Sequence, residues 1–213
     1  MSSLTEGARA PARPERELAD QGPAVGTSRP MPPRTIVPVR GIPVAAAAIA
    51  ALAVAIAGNW LWALDFFHVA AGALWTGIDL FVGFVVGPII GRLPPPARLE
   101  FTVRFMPKMV LVMPTLVTLT LAAGWQLARK MGNLTATSPF HPWLIASFAV
   151  VGVMATIAIG ILEPANLAVL FELRKPEPNF ELVGRLMRRF IYTAGVTGAM
   201  QVATLVIMSR LAT

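Results

Sequence analysis

The sequence contains no cysteine, two histidines and a single tyrosine among its 213 residues. Without thiols, disulfides, thiolate metal sites, iron–sulfur clusters and cysteine nucleophiles are excluded, and cysteine usage says nothing of the redox compartment. Charge is scarce as well. The 18 Lys and Arg and 11 Asp and Glu make up 14% of the chain, against 55% hydrophobic residues and a mean hydropathy of +0.66. That is far more apolar side chain than one soluble core of this length needs, which excludes a water-soluble globule. Also missing are a phosphate-cradling glycine loop ahead of a helix, a His-Glu-x-x-His pair and a Gly-x-Ser-x-Gly elbow. No extramembrane stretch is long enough for a soluble active site, so any chemistry is expected between helices, with a bound cofactor or ion.

The charge that is present is unevenly placed. A net +7 and a pI near 11.2 would suggest nucleic acid in a soluble protein. Here the basic residues stand in short clusters between long apolar runs, the pattern of membrane-protein loops, and no nucleic-acid partner is expected. Residues 1–41 hold ten of the charges and seven prolines, from Pro11 to Pro38. Such a segment reads as a disordered or extended cytoplasmic tail, with room for a short helix over Pro14–Asp20 and, in a complex, for tethering to a partner subunit.

Residues 42–213 read as an all-α, polytopic transmembrane helical bundle. From Ile42 to Gly91 only Asp65 and Asp79 are charged, a run too long for one crossing and long enough for two. Gly58-Asn59-Trp60 is the natural break, giving spans at about 43–57 and 61–90. Three more follow at about 107–127, 142–170 and 190–208. Five spans, a four-helix core plus a short N-terminal span, is the preferred topology; four remains the alternative, because the first segment is short and rich in alanine. Ala55-Ile56-Ala57 also has the small-x-small form of a signal-peptide cleavage site, which the long tail ahead of it disfavours. Arg92, Arg98 and Arg104 crowd one separator and Arg174, Lys175, Arg185, Arg188 and Arg189 another, whereas Ala128–His141 carries only Arg129 and Lys130. The positive-inside rule then sets the N-terminus in the cytoplasm and the C-terminus outside.

Ionisable groups inside a span cost about 2.5–3.5 kcal/mol each on insertion scales, so each is a functional candidate. Asp65, His68, Gly72, Trp75 and Asp79 recur every three or four residues and stack on one helix face, which Gly83 and Gly87 continue. That face admits either a flat, bulky group or the close approach of another helix. His68 suits an axial ligand of haem iron, with Ala71 and Gly72 leaving room for a porphyrin, or else a histidine bonded to Asp65 or a backbone carbonyl. His141, expected in the same leaflet, makes a bis-histidine site conceivable, although its place before Pro142 favours an exposed capping role. Glu163 heads a Glu-Pro-Ala-Asn run in which Pro164 frees the Gly160 carbonyl; it reads as a proton-handling or quinone-contacting carboxylate, or as an ion-pair partner of Lys108 or Arg104. Pro114 is expected to bend its helix. Met106, Met109 and Met113 form a thioether stripe that could hold Cu(I) or simply pack. Gly195, Gly198 and Ala199 suggest close helix packing, with Gln201 as an interhelical hydrogen bonder. Asn133-Leu134-Thr135 has the form of a glycosylation acceptor.

The run Phe67-His68-Val69 with Trp75, the basic loop after it, and then Arg104-Phe105-Met106, Met113-Pro114-Thr115 and Leu121-Ala122-Ala123-Gly124-Trp125 resemble the bacterial membrane superfamily of HemJ-type protoporphyrinogen oxidases and the copper-resistance protein D membrane domain. The resemblance covers about Leu61–Gly124. It implies a four-helix fold, b-type haem held by His68, and Trp75 as the aromatic on the same face. Gly77-Ile78-Asp79-Leu80-Phe81 stands where HemJ-type proteins carry a Leu-Pro-Arg-type segment, and Trp143–Val151 lacks their lysine, so haem binding is the implication carried over rather than protoporphyrinogen oxidation. The expected activity is electron transfer or redox chemistry on haem b. The alternatives are an accessory or assembly subunit among the other subunits of a larger energy-transducing membrane complex and, more weakly, copper transport.

Overall fold

The computed structural model describes residues 38–211. The expectations for an extended tail and for a helix over Pro14–Asp20 fall on residues outside that range. After a single 3-10 turn at Val39–Gly41, the described chain is helical throughout: α1 (Ile42–Ala57), α2 (Leu61–Leu80), α3 (Gly87–Arg92), α4 (Pro95–Lys130), α5 (His141–Ile157), α6 (Glu163–Leu173) and α7 (Phe180–Leu211). One π-helical turn, Phe81–Val86, joins α2 to α3, and another, Ala158–Leu162, joins α5 to α6. Five continuous helical segments result, Val39–Ala57, Leu61–Arg92, Pro95–Lys130, His141–Leu173 and Phe180–Arg210, each long and apolar enough to cross a membrane. This is a multi-pass membrane protein.

The expected break between the first two helices is present, and its chemistry is local. Asn59 adopts a left-handed φ of 58°, Trp60 N–H donates to the Ala55 carbonyl and Asn59 N–H to that of Ile56, which together close α1 as a Schellman motif. Asn is among the few residues that take this conformation readily. Gly132, at φ 73°, ends α4 in the same way, with Asn133 N–H on Ala128 and Gly132 N–H on Arg129. The Lys130 ammonium donates to the Asn59 side chain and ties the two helix ends together.

Two boundaries differ from the sequence reading. The separators Arg92–Met106 and Phe171–Arg189 were expected as loops, but α4 begins at Pro95 and α7 at Phe180. Pro95 and Pro96 occupy the first helical positions, where a missing N–H costs nothing, and no breaker follows that would stop the helix before the apolar stretch. At about 1.5 Å per residue α4 and α7 reach roughly 54 and 48 Å, well beyond a hydrocarbon core of about 30 Å. Their basic turns therefore project past it as helix. The remaining turn between α6 and α7 is held by Glu172, which accepts from Lys175 at 2.5 Å and from the Asn179 N–H at 3.0 Å.

Both π-turns end just before a proline, Pro88 and Pro164. Proline has no N–H for the carbonyl four residues earlier and its ring crowds that carbonyl, so a widened turn relieves both problems. This is where the sequence predicted a distortion near Glu163. Asn166, two residues beyond Pro164, is buried, and among the described residues its Oδ1 has no partner. Pro107 and Pro114, in contrast, lie inside an uninterrupted α4.

Packing divides into two clusters. At one end, Leu52 and Ala55 of α1 meet Ala63, Leu64 and Ala71 of α2 and Leu119, Ala123 and Leu127 of α4. These two are the buried residues of α1, which thus lies against the outside of a bundle formed by the other four segments. The larger cluster contains Trp75, Val82, Met106, Met109, Met113, Met154, Leu170, Met187 and Phe190. The thioether stripe of α4 is therefore packed among apolar side chains in the core. α7 packs against α2 on one side and against α5 and α6 on the other. It approaches α2 backbone to backbone, since a Cβ on Gly83 would overlap the main chain of Gly195 and one on Gly198 would lie 2.9 Å from the Leu80 nitrogen. The glycine stripe on α2 thus admits a helix at Gly83, as the small residues of α7 suggested.

Candidate functional site

α5 leans on α7, and toward the bundle end that holds Lys130 and His141 a cleft of about 360 Å³ opens between α2, α4, α5 and α7. Its α2 wall is Asp65, His68, Val69, Gly72, Ala73 and Thr76, one face at helical spacing. Trp125 of α4 and Phe148 of α5 both line it, with their rings stacked 5.8 Å apart. The walls are largely apolar, and the polar groups are few: His68, Thr76, Thr120, Ser147, Gln201 and Thr204, with Asp65 at the exposed rim and Asn133 from the loop.

His68 is half-buried, and its position is fixed by α4. The imidazole Nδ1–H donates to the backbone carbonyl of Thr120 at 2.9 Å. That carbonyl is free to accept a second bond because a carbonyl oxygen has two lone pairs. The ring lies against Gly124, where a Cβ would come 2.6 Å from Cε1 and 2.7 Å from Nδ1. Only glycine leaves room for the imidazole there. With the proton on Nδ1, Nε2 carries the lone pair, so the backbone-carbonyl bond weighed as an alternative to metal ligation is the same bond that orients a histidine ligand. Gly72, one turn further along α2, faces Thr120 across ordinary van der Waals contact.

The stacked face read from the sequence is split between two surroundings. His68 and Gly72 line the cleft, whereas Trp75 and Asp79 turn into the interface with α7. Asp79, 2% exposed, accepts three hydrogen bonds on one oxygen, from Trp75 Nε1 at 3.0 Å, Thr197 Oγ1 at 3.1 Å and Gln201 Nε2 at 2.7 Å. Gln201 is thus an interhelical hydrogen bonder, as expected, and it also lines the cleft. Among the described residues its Oε1, which is buried, has no partner. Trp75, spoken for by Asp79 and absent from the cleft wall, does not present a ring to a ligand beside His68.

His141 does not line the cleft either. It is the first residue of α5, half-buried, and its Nδ1–H donates to the Asn133 carbonyl at 3.3 Å. The expected exposed capping role is replaced by a loop anchor, because Phe140 occupies the cap position and offers no side-chain acceptor. Asn133 itself is 7% exposed and accepts from Ser138 Oγ at 3.2 Å, so its amide is not presented as a glycosylation acceptor. Glu163 is half-buried and forms no ion pair among the described residues; Arg104 pairs with Glu100 at 2.6 Å and Lys108 is exposed. The pairing of Glu163 with either cation is therefore not made.

Among the described residues no three His, Asp or Glu side chains gather to hold a bare metal ion. A porphyrin needs no such cluster, because its own four nitrogens hold the iron and the protein supplies axial ligands. The residues at His68 fit that requirement: an imidazole oriented by the Thr120 carbonyl and seated on Gly124, with largely apolar walls around it. No protein-family model, curated protein or solved structure matches this chain.

Proposed function

We propose that this protein binds haem b in the cleft between α2, α4, α5 and α7, with His68 as an axial ligand, and takes part in electron transfer in a bacterial inner membrane. The observation that carries the reading is the bond from His68 Nδ1 to the Thr120 carbonyl, 2.9 Å long, which leaves Nε2 as the ring's lone-pair nitrogen in a largely apolar cleft. Haem supplies one-electron chemistry through the ferric and ferrous states of its iron. The chain's own contribution is to hold the imidazole in one tautomer, to seat it against Gly124, and to surround it with largely apolar walls. Because His141 is held by the loop, His68 is the histidine offered at this site. The likeness of Phe67–Trp75 and Met113–Trp125 to the HemJ and copper-resistance protein D superfamily points the same way.

In the membrane, we place the N-terminus in the cytoplasm and the C-terminus outside. The basic turns of Arg92–Arg104 and Arg174–Arg189 gather at one end of the bundle, and the positive-inside rule assigns that end to the cytoplasm. The cleft then opens toward the outer leaflet. A pyridine haemochrome assay on the purified full-length protein tests the cofactor: b-type haem near one per chain supports the reading. A colourless protein that co-purifies stoichiometrically with other subunits would replace it with an accessory role.

A further inference from the structure

Farther along the helical segment that carries His68, a second groove of about 330 Å³ lies between α3 and α7, at the end of the bundle that holds the basic turns. The two helices run antiparallel here. A Cβ on Gly83 would strike the main chain of Gly195 and one on Gly87 the side chain of Ile191, so the groove is closed toward the middle of the bundle. At Gly91 and Gly184 a Cβ would meet nothing within 4 Å, so it is open at the basic end. Arg98 stands at that opening. Its Nε donates to the Ile90 carbonyl at 3.2 Å and its Nη2 to those of Gly91 and Leu93, both at 3.1 Å, which fixes the guanidinium over the carbonyls that end α3. A guanidinium carries five N–H donors, and among the described residues the two on Nη1 have no acceptor. Arg188, exposed on α7, also lines the groove, and among the described residues it has neither an ion pair nor a hydrogen bond. No acidic side chain among the described residues lines the groove.

We infer that this groove binds the phosphate of an anionic glycerophospholipid, with Arg98 Nη1 and the Arg188 guanidinium as its cationic partners. Two guanidiniums without a carboxylate select a negatively charged ligand, and phosphate oxygens match their planar N–H pairs. The end of α3, whose bare carbonyls would repel an anion, is covered by Arg98. What continues from the groove toward the middle of the bundle favours a lipid over a dissolved phosphate. Pro88 and Tyr192 line the groove; one turn beyond the first is Phe84, and one turn beyond the second is Val196, both exposed. An uncovered apolar track thus leads away from the two arginines, along which acyl chains would lie. Tyr192, exposed at the start of that track, has the amphipathic ring typical of the membrane interface. Basic pockets between membrane helices are a recurrent headgroup site. The inference does not rest on the haem reading, since Gly83, the groove residue nearest His68 along the helix, is about 22 Å from it at about 1.5 Å per residue.

The experiment measures equilibrium binding of three probes to the detergent-solubilised full chain: dioctanoyl phosphatidylglycerol, dioctanoyl phosphatidylcholine and sn-glycerol 3-phosphate. Phosphatidylglycerol is expected to bind about tenfold or more tightly than either of the others, as charge-assisted hydrogen bonds to two arginines imply. Arg188→Gln should remove most of that preference. Arg185→Gln, which deletes the same charge from an exposed position of α7 outside the groove, should leave it intact. Gly184→Leu, which puts a side chain into the open mouth and keeps both arginines, should lower phosphatidylglycerol binding to the level of phosphatidylcholine. Equal binding of the two lipids, or no binding of either, would overturn the inference. So would sn-glycerol 3-phosphate binding as tightly as phosphatidylglycerol, the mark of a soluble anion, or equal losses in Arg185→Gln and Arg188→Gln, the mark of diffuse surface charge. Should a variant fail to fold, the three-probe comparison on the unaltered protein decides. His68→Ala should keep the lipid preference, which separates failure of the haem reading from failure of this one.

Discussion

The imidazole of His68 rests on Gly124, with no space between them for a methyl group. α2 and α4 approach at this point closely enough that one helix supplies the histidine and the other both its hydrogen-bond acceptor and the flat surface beneath it. Gly124→Ala is therefore predicted to displace the ring and weaken haem binding by about 10- to 100-fold, the range seen when supporting contacts of a ligand are lost. Haem titration followed by absorbance checks this. Unchanged affinity would mean that the ring has freedom the packing denies it.

His141 is predicted to be dispensable for the cofactor. Its side chain serves the loop through Asn133 and does not line the cleft, so His141→Ala should leave the haem spectrum unchanged while lowering thermal stability by about 1 kcal/mol, the worth of one hydrogen bond. A shifted Soret band in that variant would show that it reaches the iron.

Asp79→Ala removes the shared acceptor of Trp75, Thr197 and Gln201; the Thr197 hydroxyl also reaches the Thr193 and Ala194 carbonyls, so Trp75 and Gln201 are the donors it leaves unpaired. Each buried donor left unpaired costs about 1–3 kcal/mol in soluble proteins, and interhelical bonds in membranes average nearer 0.6. A loss of about 2 kcal/mol is expected in denaturant unfolding from detergent, with Asp79→Asn retaining part of it because one oxygen remains. No loss in Asp79→Ala would mean that these donors find other partners.

The glycines of the α2 and α7 crossing should be far less tolerant than those facing open space. Gly83→Ala and Gly198→Ala meet backbone atoms, whereas a Cβ on Gly77 or Gly152 meets nothing within 4 Å. The first pair is predicted to destabilise by about 1–3 kcal/mol, as overpacking does. The second pair is predicted to be neutral or to stabilise by up to about 1 kcal/mol through helix propensity. Thermal unfolding of the four variants tests the ordering.

Since the chain lacks cysteine, single-cysteine variants can report its topology directly. Ala136→Cys and Glu177→Cys both place the thiol at exposed positions, on opposite ends of the bundle. A membrane-impermeant maleimide applied to intact spheroplasts is predicted to label Ala136→Cys and to spare Glu177→Cys until the cells are lysed. The reverse pattern would invert the orientation.

Helix number and the break at Gly58-Asn59-Trp60 were legible because apolar run length and turn chemistry are local properties. The starts of α4 and α7 were not, because a basic segment that leaves the bilayer looks like a loop by hydropathy even when nothing in it breaks a helix. For the site, spacing correctly grouped His68 with Gly72. It could not tell that Asp79, on the same nominal face, would be claimed by Thr197 and Gln201 more than a hundred residues later and would hold Trp75 with it. The i, i+4 spacing of Thr197 and Gln201 was a usable signal, as two polar side chains on one face of an apolar helix need a partner. Gly124 carried none beyond its presence in a resembling motif, because its role is a contact distance, and distances between helices are set by the whole bundle.

Ligation of haem b by His68 is tested most directly by the reduced-minus-oxidised absorbance spectrum of the purified full-length protein beside that of His68→Ala. A b-type Soret and α-band are expected in the unaltered protein, near one haem per chain, and their loss in a His68→Ala variant that keeps its helical circular dichroism. A b-type spectrum of equal intensity in both proteins, or none in either after haem is supplied, would contradict it.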